Sequence, residues 1–195
     1  MTPAEIEHWR LFVALPVPED VKVAIQRTQA AIRQRLPNAG ISWTRPEQFH
    51  LTLKFLGDVP AQSVPALIAA LRLVAADFRP LALQSRGLGF FPSARAPRVL
   101  WAGITDLSGQ LNGLQEQAER ACTGFTTEAA ESRFHAHITL ARVKRFARGL
   151  PDAAAPGLNQ EFGSWTATNV ELIRSQLASE GPNYTSLANL TLSKA

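Results

Sequence analysis

Hydrophobic and polar positions alternate with two periods along this chain. Residues 10–15 (RLFVAL) form an apolar run closed by Pro16 and Pro18 and predict a strand. Val21, Ile25, Ile32 and Leu36 then recur at helical spacing, with Thr28 in the remaining slot, and predict a helix over 19–36. Pro18, Glu19 and Asp20 suit its start, where a fixed φ and negative charge are favoured; Pro37, Asn38 and Gly40 suit its end. In 50–56 (HLTLKFL) the period becomes two, with Leu51, Leu53 and Phe55 on one face and His50, Thr52 and Lys54 on the other. Gly57-Asp58 turns the chain into a helix over 61–76, built on Val64, Ile68, Leu71 and Ala75 with Pro65 in the first turn. Strands over 81–85 and 99–104 flank a Gly- and Pro-punctuated stretch, 87–97, that reads as a loop. A third helix over 107–122 places Leu107, Leu111, Leu114, Ala118 and Cys122 on one stripe. The strand over 135–141 sets Ile138 and Leu140 opposite His137 and Thr139; 148–163 reads as a surface loop; strands over 167–175 and 184–192 close the chain around Gly181-Pro182.

One pattern occurs twice. His50-Leu51-Thr52-Leu53 and His137-Ile138-Thr139-Leu140 share the order His, aliphatic, Thr, Leu, and each follows a strand and a long helix. Two such units predict a pseudo-symmetric pair of lobes. Because the last two strands can return to the first lobe, residues 1–195 are read as one domain.

Composition narrows the class. A normal apolar fraction, 46%, excludes a disordered or collagen-like chain. A lone cysteine, Cys122, leaves no intramolecular disulfide or thiolate cluster, and its place on the apolar stripe makes it a core residue. The absence of an 18-residue apolar run or a charged-then-apolar leader leads to the expectation of a soluble, cytoplasmic protein that engages no membrane. The net charge of +4 is mild and carried mostly by arginine, which allows a nucleotide or nucleic-acid partner without requiring one. Walker A, G-x-G-x-x-G and G-x-S-x-G motifs are absent from the sequence.

The repeated pattern carries the candidate chemistry. On a strand, residues i and i+2 project from one face about 7 Å apart, so each motif sets an imidazole beside a hydroxyl. Two such strands facing one cleft would join two groups that titrate near neutrality with two hydroxyls able to donate hydrogen bonds to nonbridging phosphate oxygens. That set suits phosphodiester cleavage: one histidine activates the nucleophile and the other protonates the departing oxygen. A single strand histidine or threonine is ordinarily structural; the repetition argues otherwise. A zinc site on His135 and His137, completed by His50 or Glu131, is the competing reading, and the threonines fit it poorly. His8, at the edge of the first strand, is read as incidental.

A wider set of residues extends the pattern: 10–15; Arg45-Pro46-Glu47 leading into 50–57 (HLTLKFLG); 87–92 (GLGFFP); 98–103 (RVLWAG); 137–144 (HITLARVK); Ser175; and Gly181-Pro182-Asn183-Tyr184. On these the chain resembles the 2H phosphoesterases, and within them the bacterial RNA 2',3'-cyclic phosphodiesterases, also called 2'-5' RNA ligases. The resemblance implies an α+β, bilobal fold with two antiparallel sheets lining a central cleft and helices on the outer faces. It implies opening of RNA 2',3'-cyclic phosphate ends to 2'-phosphomonoesters with no cofactor, and reversible 2'-5' joining of RNA ends such as tRNA halves. His50 and His137 match the catalytic histidines, Thr52 and Thr139 the phosphate-binding threonines. In hydrolysis His137 is assigned as base and His50 as acid, an assignment the pseudo-symmetry makes reversible. Further candidates for RNA or phosphate contact are Arg142, whose strand parity puts it opposite His137 unless the strand bends, Phe12, Tyr184 and His135. Where the family often has Pro, Ala136 stands here, which removes no reacting group. Another 2H activity, on cyclic nucleotides or 2'-5' oligonucleotides, and a non-catalytic RNA-binding module are the alternatives. A monomer is the default.

Overall fold

The apolar run of the first strand is buried on both faces, which explains its lack of alternation. The computed structural model describes residues 6–37, 40–129, 133–145, 147–178 and 181–194. In β1 (His8–Pro16), Leu11, Val13 and Leu15 enter a core under two helices, whereas Phe12 and Ala14 face the other way and pack with Ile173 and Tyr184. The chain continues through α1 (Glu19–Arg35), β2 (Ile41–Trp43), β3 (His50–Pro60), α2 (Val64–Ala76), β4 (Leu81–Phe91), β5 (Val99–Asp106) and α3 (Leu111–Cys122). It ends with β6 (His137–Val143), α4 (Leu150–Ala154), β7 (Glu161–Ala167), β8 (Asn169–Gln176) and β9 (Asn183–Thr191).

This is the expected α+β architecture, with one refinement. The two antiparallel sheets are halves of one sheet of order β7-β4-β5-β6-β3-β1-β8-β9, with β2 beside β6. The halves meet where Leu51 of β3 pairs with Ile138 of β6, so both motif strands lie at the seam. Strands β8 and β9 take the option left open by the sequence and return to the first half, beside β1.

Helices cover the outer face, but each unit lends its helix to the other half. Val21, Ile25 and Ile32 of α1, which follows β1, pack on Leu100, Ile138 and Leu140 of β5 and β6. Leu111, Leu114, Ala118 and Cys122 of α3, which follows β5, pack with α2 on Leu51 and Leu53 of β3.

Several boundaries differ from the sequence reading. Strand β4 runs on to Phe91 through a bulge at Ser85–Leu88, because Gly87 takes a φ of 72° that lets the ladder with β5 resume. The stretch read as a surface loop at 148–163 contains α4 and the start of β7, whose Leu150, Ala154 and Phe162 are core residues. Helix α3 begins at Leu111 and Leu107 is exposed. The cause is Asp106: its Oδ1 accepts from Ser108 N and Oγ at 2.9 and 2.6 Å, and its Oδ2 accepts from Leu111 N at 2.7 Å. That carboxylate satisfies free N–H groups at the helix start and forces 107–110 into a turn. The side-chain and backbone bonds hold the Asp106 carboxyl below the usual carboxylate range against the opposing effect of burial. Asn38, read as part of a helix end, lies outside the described residues. Among the described residues no helix is long and apolar enough to cross a membrane.

Lys54 is the main departure in the core. It was expected on the polar face with His50 and Thr52, yet it is 2% exposed, on the helix side. Its Nζ lies 2.6 Å from Glu119 Oε1 of α3 and donates to the Ala129 carbonyl at 3.0 Å. Removing one partner of a buried ion pair strands the other. Glu119→Ala leaves the fully enclosed ammonium without its counter-ion and should lower unfolding free energy by about 3 kcal/mol; Lys54→Met should cost less, because Glu119 at 19% exposure keeps a path to water, as measured by urea denaturation.

Candidate functional site

The two motif strands interrupt their alternation at the same place. In β3 the pairing to β1 skips Leu53: Ala14 faces Thr52 and Val13 faces Lys54. In β6 the pairing to β5 skips Leu140: Trp101 faces Thr139 and Leu100 faces Ala141. Each bulge sits one residue after the motif threonine and inverts the parity beyond it. Lys54 and Ala141 thereby turn into the cores, and Phe55 and Arg142 turn into the cleft. Arg142 reaches the cleft by the bend that its parity demanded. Phe55, read as a core residue, is 45% exposed on the cleft side.

Matching glutamines back both bulges. Gln29, buried on α1, donates through Nε2 to the Leu140 carbonyl at 2.9 Å and the Thr44 carbonyl at 2.7 Å. Gln115, buried on α3, directs Nε2 at the Leu53 carbonyl at 3.4 Å. A bulge takes a carbonyl out of the ladder, and a buried carbonyl without a donor is costly. Helical spacing alone did not mark either glutamine, because one polar residue within an apolar stripe reads as a boundary.

The cleft has a volume of about 710 Å³, and His50, Thr52, His137 and Thr139 all line it. His50 Nδ1 lies 2.7 Å from the Gln48 carbonyl, and His137 Nδ1 lies 2.6 Å from the His135 carbonyl. A carbonyl only accepts, so Nδ1 carries the proton in both rings and Nε2 is left as the basic nitrogen. His50 packs against Phe12 at 4.7 Å between ring centroids and edge-on to Tyr184 at 5.5 Å. His137 packs edge-on to Phe91 at 5.0 Å. Burial pushes the His50 pKa down to about 4, with His137, Arg142 and Lys22 adding to the effect and the Gln48 bond opposing it. His137 is also lowered, by burial first and then by His135 and Arg142, against its own carbonyl bond. Near pH 7 both imidazoles of the free protein are neutral.

The remaining candidates divide. Phe12 is 2% exposed, so it forms the floor under His50 and is closed to base stacking. Tyr184 lines the cleft beside His50, and burial raises its phenol pKa. His135 is not among the cleft-lining residues; its ring packs on Trp101 at 4.7 Å and its backbone carbonyl holds His137. Trp101 reaches there by lying across Gly89, where a Cβ would stand 2.1 Å from the indole. His8 bonds the Ile6 carbonyl at 2.8 Å, away from the cleft. Among the described residues no group of three or more His, Cys, Asp or Glu could hold a metal ion. Glu131, the suggested third zinc ligand, lies outside the described residues. Cys122 is buried and its thiol is pushed up to about 12, chiefly by burial.

Arg45 and Gln48, to which the sequence reading gave no role, tie the His50 side together. Gln48 Nε2 donates to the Pro182 carbonyl, and Arg45 Nη2 lies 3.2 Å from that oxygen and 3.3 Å from Asn183 Oδ1. The turn that supplies the His50 acceptor is thus bound to the turn that supplies Tyr184. Charge and amide groups in a short Pro-containing turn were the available signal, but their partners stand more than 130 residues away.

Gln29→Leu should leave the Thr44 carbonyl unpaired, lower stability by about 1–3 kcal/mol and loosen Arg142. The expected kinetic result is a raised KM for a phosphodiester substrate at temperatures where the variant is fully folded. An unchanged KM would separate the glutamine from the cleft.

A family model described as LigT like Phosphoesterase matches residues 15–101 and 104–184. RNA 2',3'-cyclic phosphodiesterase of Aeropyrum pernix is 35% identical over 164 residues, 81% of this chain and 91% of that protein. The protein of the same name from Thermus thermophilus is 34% identical over 190 residues, 94% of this chain and 90% of its own. Crystal structures agree: E. coli LigT complexed with 3'-AMP superposes with a TM-score of 0.76 at 25% identity, covering 96% of this chain and all of that one (100%). With the fold, the paired motifs and these matches in agreement, the chain belongs to the LigT-like family of 2H phosphoesterases.

Proposed function

We propose that the protein hydrolyses RNA 2',3'-cyclic phosphate ends to 2'-phosphomonoesters, using His50 and His137 as an acid–base pair. The observation that carries this is the placement of two imidazoles, each with Nδ1 held by a carbonyl, in one cleft with Thr52, Thr139 and Arg142. The names and ligands of the relatives support the same substrate class.

The cyclic phosphate sits between the two motif strands. Thr52 and Thr139 hydroxyls donate to its nonbridging oxygens, and Arg142 offsets the charge that gathers on them. His137 Nε2 takes the proton of a water that attacks phosphorus. His50 Nε2 delivers a proton to the departing 3' oxygen as the P–O3' bond breaks and leaves the phosphate on the 2' oxygen. The more exposed position of His137 supports its role toward water, and the packing of His50 against Phe12 and Tyr184 supports a role shielded from solvent. In the free protein His50 is neutral, so its proton arrives with the anionic substrate, whose charge raises the imidazole pKa. With a 5' hydroxyl in the place of water, His137 Nε2 takes its proton, the same P–O3' bond breaks as His50 protonates the 3' oxygen, and the product is a 2'-5' phosphodiester that joins RNA ends, tRNA halves among them; the reverse of that step reopens the link to the cyclic phosphate. Both motif strands come from one chain, so a monomer suffices, and no step is assigned to a metal.

An RNA oligomer ending in a 2',3'-cyclic phosphate, offered with EDTA present, tests the assignment. Turnover should persist and yield the 2'-phosphate. His50→Ala and His137→Ala should each reduce kcat by about 10²–10⁴-fold. Full turnover in either variant would refute the pair, and loss of turnover in EDTA would bring a metal back.

The pH profile gives a second test. Activity in kcat/KM requires one imidazole protonated and one neutral in the free enzyme, so its maximum lies between their two pKa values. Both are lowered from 6.5, which puts the maximum on the acid side of 6.5. Bound phosphate raises both, so the kcat maximum should lie at higher pH than the kcat/KM maximum.

A further inference from the structure

The cleft is symmetric in its motifs and asymmetric at its ends. Strands β3 and β6 are antiparallel and meet at Leu51 and Ile138, so they diverge toward opposite ends. After the bulge, β3 delivers Phe55 to one end and β6 delivers Arg142 to the other. At the Phe55 end the neighbours are Gly57, Glu128 and Arg10, with exposed Asp58 paired across from Arg10 on the strand. At the Arg142 end the acid beside cleft-lining Arg45 is Glu47, and it is taken up by that arginine at 3.1 Å. Residues 92–105 and 137–151 contain no Asp or Glu but hold Arg95, Arg98, Arg142, Lys144, Arg145 and Arg148. Those six positive charges exceed the net +4 of the whole protein, so the rest of the molecule is net negative.

The two acid-free segments are joined. Val99 pairs with Arg142, Val143 N donates to the Arg98 carbonyl at 2.9 Å, and Arg98 N donates to the Phe91 carbonyl at 2.7 Å. Beyond β6, Lys144 N and Arg145 N both donate to the Gly40 carbonyl, at 2.7 and 3.2 Å, which pins the basic turn beside the cleft. Arg95, Arg98, Lys144 and Arg145 are exposed.

We infer that the RNA strand 5' of the reactive end leaves the cleft past Arg142 and runs over this basic rim, which makes the protein selective for polynucleotide ends over free 2',3'-cyclic mononucleotides. The inference rests on the proposed cyclic phosphodiesterase activity. Single-stranded RNA carries one phosphate per nucleotide, so a strand leaving by this end meets several cations at successive phosphates, and a strand leaving by the other end meets Arg10 flanked by Glu128 and Asp58. A mononucleotide has no phosphate to place on the rim.

The test compares the wild-type protein with the triple variant Arg98→Gln, Lys144→Gln, Arg145→Gln. The substrates are an RNA decamer ending in a 2',3'-cyclic phosphate and a 2',3'-cyclic mononucleotide, at several salt concentrations. The wild type should prefer the decamer, and salt should erode the preference. The triple variant should lose about tenfold or more in kcat/KM on the decamer and keep its mononucleotide activity. Its slope of log kcat/KM against log salt should flatten by about 0.7 per cation removed. Asp58→Asn, at the other end, should stay within about twofold on the decamer. An unchanged decamer rate, or equal losses on both substrates, overturns the inference. If neither substrate is turned over by the wild type, the catalytic reading fails. Fluorescence anisotropy with a labelled single-stranded RNA decamer then judges the rim alone: weaker binding by the triple variant upholds it and equal binding overturns it.

Discussion

A β-strand alternates faces with a period of two, and each motif strand of this protein has to break that rule once. His and Thr must face the cleft while the intervening aliphatics fill the core. Two residues further on, strict alternation would send Lys54 into the cleft and bury Phe55 and Arg142. One extra residue, Leu53 in β3 and Leu140 in β6, inverts the pattern. The carbonyls those bulges displace must find donors in a place without water; a glutamine from the covering helix reaches each of them, joined at Leu140 by Thr44 N at 2.8 Å. The residues that the two strands present at the ends of the cleft follow from these two bulges.

The histidines depend on a similar exchange between chemistry and burial. Backbone carbonyls from the residue two positions earlier fix the same tautomer in both rings. Aromatic neighbours then remove water, which disfavours the charged imidazolium. The two imidazoles stay neutral until an anion enters and draws a proton in with it. In the proposed reaction the phosphodiester supplies part of its own acid catalyst by arriving.

Much of this was legible in the sequence, because period and punctuation are local. The strands around His50 and His137 and the helices at 19–36 and 61–76 follow from spacing, whereas the return of the last strands to the first half was one of two options. What escaped was set by distant partners. Lys54 looked like a cleft residue since nothing nearby in the sequence announces Glu119 on α3. Phe55 matched the apolar parity, so no contradiction flagged the first bulge. Arg142 did carry a signal, a charge at a core position, and that signal was correct. Helix α4 and strand β7 hid in an Ala- and Pro-rich stretch because their burial comes from α1 and β4. Phe12 kept its apolar character but changed role, from a surface for a base to a floor for an imidazole.

The crossing of α1 onto the second half and α3 onto the first ties the two motif strands together mechanically. Neither half can build its own hydrophobic interior from contiguous sequence; each waits for a helix delivered by the other. Cooperative units of opening usually follow such cores, so the two walls of the cleft lose and gain their packing together. The cleft is therefore gripped from behind by interlocked helices, and its width is a property of the whole chain's folding equilibrium.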